Sequence, residues 1–171
     1  KILNKNRRPF VQSIEDINKF YNIKYLAPYT IDEVEKTGLC FDACISSTTL
    51  EHLPINILNN IFITLKKIVK KNGIILSLID YSDHYSHTDD EIGNLNFLQY
   101  NEKDWQKYNT SYLFQNRLRH QDFKNFFLEM NYDIIKEIPG KAGVSPTFIS
   151  NKFDSKNKET YYLWGYFLIK L

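Results

Sequence analysis

Two polar turns hold the side chains best suited to chemistry. Ser46, Ser47, Thr48, Glu51 and His52 follow the short apolar run Phe41 to Ile45. Asp80, Asp83, His84 and His87 follow a second run, Ile74 to Ile79. Glu51 and His52 can supply an acid/base pair or a substrate contact. A plainer role is equally open, in which the hydroxyls make the turn and Glu51 complements the start of a helix. Asp and His side chains converging at one edge can hold a metal. Without metal-type spacing on a single helix, substrate binding or mutual hydrogen bonding is the preferred reading, and no metal is expected. A third run, Asn116-Arg117-Leu118-Arg119-His120, precedes a helix. Its arginines suit bidentate recognition of carboxylate or phosphate. Taken singly, each reads as structural, paired with Asp80, Asp83 or Asp122 to pin the segment before it.

The elements that must position these turns lie in one stretch, Phe41 to Tyr81. Phe41 to Ile45 is a strand. Pro54 suits the first helical position, where its fixed φ fits and its missing N–H costs nothing. Leu58, Ile61, Phe62, Leu65, Ile68 and Val69 recur at three- and four-residue steps, the apolar stripe of a helix. Lys66, Lys67, Lys70 and Lys71 favour its negative end. Asn72-Gly73 can stop it in the left-handed conformation. Ile74 to Ile79 is continuous rather than alternating, as expected of a strand covered on both faces. The unit is βαβ, so its strands should be parallel. In open α/β sheets ligands bind beyond the carboxyl ends of the strands, where both turns fall.

The rest of the chain bounds the reading. Its 171 residues suffice for one domain with a core. A formal charge of +2 with scattered lysines gives no argument for a nucleic-acid partner. Twelve Tyr and twelve Phe serve both core and pocket walls. Cys40 and Cys44 read as reduced, buried small residues. No apolar run approaches the ~20 residues that span a bilayer, and no secretory pattern is visible, so a cytoplasmic protein is the default. Lys1 to Arg8 is polar and aperiodic. Ser13 and Thr30 can cap short helices, with a strand at Ile23 to Leu26 between them. Ser82 to Tyr112 is polar and aromatic without a clear period, a lid-like insertion with short helices around Asp90 to Leu98 and Glu102 to Tyr108. Asp122 begins another helix that ends at Asn131. Ile134 to Ile138 and Tyr161 to Leu171 are strands that should pair antiparallel.

Three segments together, FDACISSTTLEHL, LKKIVKKNGIILSLIDYSDH and NRLRHQDFKNFFLEMNYDIIKEI, resemble class I S-adenosylmethionine-dependent methyltransferases over roughly Ile23 to Leu171. The resemblance implies an α/β fold with a Rossmann-like methyltransferase sheet, mostly parallel with a C-terminal antiparallel hairpin. It implies S-adenosylmethionine as cofactor, with Ser46, Ser47 and Thr48 lining its methionine end. His52, with Glu51 beside it, would face the acceptor and take its proton. Asp80, Asp83, His84, Tyr85, Asn116 and Arg117 would form the pocket for a small-molecule acceptor, sugar-like or anionic. No nucleic acid or membrane is implied as partner.

One departure stands out. The family holds its cofactor with a glycine-rich loop after the first strand and an acidic residue after the second. The six glycines here make no such pattern, so 1–171 reads as a partial domain with the first two strands missing. The alternative is a non-catalytic methyltransferase-like subunit or scaffold, completed by a partner or a second copy. A hydrolase is disfavoured, because Ser46-Ser47 lacks the glycines of a nucleophile elbow.

Overall fold

The computed structural model describes residues 10–171, so the reading of Lys1 to Arg8 lies outside the described residues. Helices and strands follow in the order α1 (Ile14–Tyr21), α2 (Ile31–Lys36), β1 (Phe41–Ser47), α3 (Ile55–Ile68), β2 (Val69–Asp80), α4 (Glu102–Trp105), α5 (His120–Glu129), β3 (Asp133–Pro139) and β4 (Trp164–Lys170). Local chemistry sets several ends. Ser13 Oγ accepts from the Asp16 N–H at the start of α1, and Thr30 forms a capping box with Glu33 on α2. Asn131 takes a left-handed φ of 55° just past α5.

The strands form one sheet in the order β1-β2-β4-β3. β1 and β2 are parallel, joined through α3, whereas β4 is antiparallel to both β2 and β3. The sheet is therefore mixed, not mostly parallel as expected. β2 and β3 point the same way, as their connection through α5 allows. β4 then inserts between them, and both pairs it makes must be antiparallel.

Three local expectations are overturned. Ile23 to Leu26 forms no strand and leaves Ile23 and Tyr25 exposed. Asn72-Gly73 does not stop α3, which ends at Ile68 and passes directly into β2. Gly73 sits instead at a bulge, where β1 advances from Phe41 to Ala43 while β2 advances from Val69 to Ile74. A Cβ on Gly73 would lie 2.6 Å from Val69 Cγ1 and 2.9 Å from the Asp42 carbonyl oxygen, so glycine is needed there for space. Cys40 is exposed rather than buried, because it precedes β1; Cys44, half-buried, packs on the core.

α3 and α5 cover one face of the sheet. Leu58, Phe62, Leu65 and Ile68 of α3 and Phe123, Phe126 and Phe127 of α5 bury against Ile75, Ile79, Phe167 and Ile169. Each such side chain contributes about 1.5–3 kcal/mol of burial. The Tyr132 hydroxyl donates to the Phe62 carbonyl at 2.6 Å, and burial pushes its pKa up. The opposite face is not covered in the same way, contrary to the expectation for Ile74 to Ile79. Ile75 and Ile79 are buried, but Leu76 and Leu78 are half-buried and Ile74 is 42% exposed. Ile45 of β1 is 73% exposed and Ile138 of β3 is 40% exposed on that side.

Residues 82–112 build a second, smaller core of Leu95, Phe97, Leu98 and Trp105 with Phe153. The short helices there are 3-10 turns at His84–His87 and Asn96–Gln99, and α4.

Gly165 of β4 packs against His120 of α5 with no room for a side chain. The Tyr81 hydroxyl donates to His120 Nδ1 at 3.1 Å, because His120 Nε2–H is committed to Glu137 at 3.0 Å. A Cβ on Gly165 would lie 2.5 Å from His120 Nδ1 and 2.9 Å from the Tyr81 hydroxyl. Gly165→Ala should therefore destabilise by about 1–3 kcal/mol, read as a lower urea midpoint. An unchanged midpoint would show that His120 yields freely.

Candidate functional site

The two turns meet. Beyond β1, Thr48 takes a left-handed φ of 46°, and its N–H donates to the Leu78 carbonyl at 2.9 Å, carrying the strand pairing one residue further. A 3-10 turn at Leu50–His52 follows. Asn116 straps that turn: its side-chain amide donates to the Leu50 and Leu53 carbonyls, each at 2.9 Å, and its N–H donates to the Glu51 carbonyl at 2.9 Å. The His52 and His84 ring centroids are consequently 4.7 Å apart, and His84 stacks on His87 at 4.8 Å.

Protonation follows from the partners. His52 Nδ1 lies 2.9 Å from the Phe114 carbonyl, which can only accept, so the neutral ring carries its proton on Nδ1 and its lone pair on Nε2. The Ser82 hydroxyl donates to Asp80 Oδ1 at 2.7 Å, so His87 Nε2–H donates to the Ser82 oxygen at 3.0 Å. Burial pushes the Asp80 carboxyl up, but the nearby His84 imidazole, 3.6 Å away, and the hydrogen bonds from Ser82 outweigh it and hold the pKa below its usual range. At Glu51 burial dominates, and the neighbouring His52 and His84 offset it only in part. The residue is 3% exposed, among the described residues neither carboxylate oxygen has a hydrogen-bond partner, and burial pushes its pKa up.

Beside this cluster an open cleft of about 430 Å³ lies over the ends of β1 and β2, bordered by Thr48, Asp80, Ser82, Asn94, Trp164 and Tyr166. Asp80 belongs to both the cleft and the cluster. Of the expected cofactor contacts, Thr48 borders the cleft. Ser47 is exposed on the same side of β1 as Ile45, whereas Ser46 pairs with Ser77 and faces the helix layer with Cys44. Trp164 and Tyr166 escaped the sequence reading. Their signal was the period-two alternation of β4, legible only once β4 is placed against β2.

Among the remaining expected acceptor residues, Asp83, Asn116 and Arg117 direct their polar groups to structural partners, and Tyr85 does so in part. Asp83 is fully buried and accepts from the Tyr85 N–H and the Asn96 amide, capping the turn at His84–His87. Tyr85 donates its hydroxyl to the Tyr108 carbonyl at 2.7 Å and leaves its ring on a small pocket shared with His84. Arg117 lies between the Trp105 and Phe153 rings and donates to the Phe97 and Tyr100 carbonyls and to Glu102. Arg119 donates to the carbonyls of Tyr81, Thr160 and Tyr162. The arginine side chains thus pin segments through backbone carbonyls and Glu102, and Asp122 accepts instead from the main-chain N–H of Arg119 at 2.7 Å.

No family model matches the sequence, and no curated protein matches it. Solved structures do match. One is the crystal structure of a S-adenosylmethionine-dependent methyltransferase from Clostridium acetobutylicum ATCC 824, with a TM-score of 0.54 at 12% identity, covering 92% of this chain and 69% of that one. At that identity the likeness is one of fold: an α/β arrangement around a mixed four-stranded sheet. Among the described residues no helix is long and apolar enough to cross a membrane.

Proposed function

We propose that the chain forms the acceptor-side wall of an S-adenosylmethionine-dependent methyl-transfer site. The observation that carries this reading is the shared rim. β1 and β2 end side by side, so Thr48 and Asp80 border one cleft while His52 and His84 stand next to it. The likeness in fold to a S-adenosylmethionine-dependent methyltransferase supports it.

Bound there, the cofactor would supply an electrophilic methyl group on a sulfonium, leaving positioning as the main task of the protein. The residues fit one side of such a group. Trp164 and Tyr166 offer aromatic faces of the kind that attract a cation, and Thr48, Ser47 and Asp80 offer polar contacts. No glycine-rich loop follows a strand among the described residues, so they supply only that side. Towards a small-molecule acceptor, the His52 Nε2 lone pair can take a proton, with Asp80, His84 and Tyr85 around it. Asn116, Asp83 and Arg117 act at one remove, by holding those elements in place.

Calorimetric titration with S-adenosylmethionine and with its demethylated product tests the reading. Saturable binding is expected, weakened about tenfold by Trp164→Ala, the equivalent of roughly 1.4 kcal/mol of cation–aromatic attraction. A folded chain that gives no heat with either compound sinks it. That silent outcome would favour a second reading, motivated by the open edge of β1. β2 pairs with one side of β1, and among the described residues no strand pairs with the other. The chain would then be a methyltransferase-like subunit whose sheet a partner or second copy completes. A cytoplasmic location goes with either reading.

A further inference from the structure

We propose that Glu51, His52 and His84 bind a divalent transition-metal ion. One ligating atom from each of the three lies within 4.8 Å of the other two, and the same holds for Asp80, His84 and His87, so the trios share His84. Donors around one ion at ~2.0–2.2 Å stand about 3–4 Å apart, so small side-chain movements suffice to close the first set.

Proximity alone would leave hydrogen bonding among these side chains as an adequate account. The state of Glu51 does not. The residue is 3% exposed, yet among the described residues neither carboxylate oxygen has a hydrogen-bond donor and no salt bridge is formed with it. A buried carboxylate without a counter-charge or donors is among the costliest groups a fold can hold. His84 Nε2 is likewise buried without a hydrogen-bond partner among the described residues, with Asp80 Oδ2 at 3.6 Å. His52 is already oriented as a ligand, since its Nδ1–H is fixed on the Phe114 carbonyl and its Nε2 lone pair is left over. Asn116 fixes the backbone on both sides of Glu51 and His52, which holds the donors in place.

Two imidazoles and one carboxylate suit zinc, cobalt(II), iron(II) or manganese rather than calcium or magnesium. Three protein donors also leave coordination positions open. On the methyl-transfer reading, those positions would take oxygen donors of the acceptor, and the ion would acidify a bound hydroxyl. His52 then acts as a ligand and not as the base. This last step alone rests on that reading; the ion site does not.

The test is a cobalt(II) titration of the untagged, chelator-stripped full chain, without cofactor or acceptor. The expected result is one Co²⁺ per chain with a visible absorption band, displaced by Zn²⁺. Glu51→Gln and His84→Ala should each weaken binding by at least about a hundredfold while the metal-free far-UV spectrum stays unchanged. If Glu51→Gln does not fold, His52→Gln, at an exposed position, reads the same site. Absence of stoichiometric binding, or affinity unchanged by these substitutions, overturns the proposal. Cobalt binding with no S-adenosylmethionine binding would instead fail the methyl-transfer reading and leave the ion site standing.

Discussion

Arg119→Met is expected to cost the fold roughly 3–5 kcal/mol, more than any other single polar substitution described above. Arg119 is 4% exposed and donates to three main-chain carbonyls: Tyr81 at 2.6 Å, Thr160 at 2.8 Å and Tyr162 at 2.5 Å. Burial pulls its pKa down to about 10, which still leaves it charged at neutral pH. Methionine nearly preserves the volume but leaves three carbonyls without donors, at about 1–3 kcal/mol each. Relief from burying a charge offsets part of that loss. The guanidinium also lies 5.3 Å from the Tyr81 ring and 5.3 Å from the Phe97 ring, so it bridges the main core and the smaller one. Arg119→Lys should recover only part of the loss, because an ammonium cannot reach three diverging carbonyls in one plane. Urea denaturation reads the effect. A change under about 1 kcal/mol would mean that water replaces the guanidinium at little cost.

Trp105→Ala should remove about 3–5 kcal/mol, but from one part of the molecule. Trp105 is 2% exposed and centres the smaller core. Its ring lies 5.9 Å from that of Phe97, 6.3 Å from Tyr100 and 6.4 Å from Tyr85, and Arg117 sits 4.9 Å from it. Truncation opens a cavity and takes away the platform under a buried cation. Because this cluster is distinct from the one under α3 and α5, amides of residues 95–118 should exchange much faster while those of α3 barely change. A uniform acceleration across both would show that the two cores open as one unit.

What the sequence disclosed follows the reach of each signal. The α3 stripe at Leu58, Phe62, Leu65 and Ile68, the caps at Ser13 and Thr30 and the helix stop near Asn131 depend on neighbours within a few residues, and all are present. The parallel β1–β2 pair followed from its helical crossover, which delivered Glu51, His52, Asp80 and His84 to one rim. Signals that depend on partners far along the chain misled. Gly73 has the composition of a helix stop, but the chain uses it to clear the Asp42 carbonyl across a bulge. Ile74 to Ile79 has the composition of a strand covered twice, yet only one helix layer packs against it. Arg117 was open to an anion contact or to a pinning role, and its donors close on carbonyls 17 and 20 residues away and on Glu102. Trp164 and Tyr166 could not be placed at the cleft before the insertion of β4 between β2 and β3 was known.

The half-covered side of the sheet makes apparent stability a matter of company. Ile45 and Ile74 keep much of their apolar surface in water next to a β1 edge whose outer main-chain groups no described strand engages, as does Ile138 at the far edge of the sheet. Anything that adheres there adds its binding free energy to folding by mass action, so thermal midpoints will rise with the concentration of whatever binds. A single melting temperature therefore describes this chain only together with the solution it was measured in.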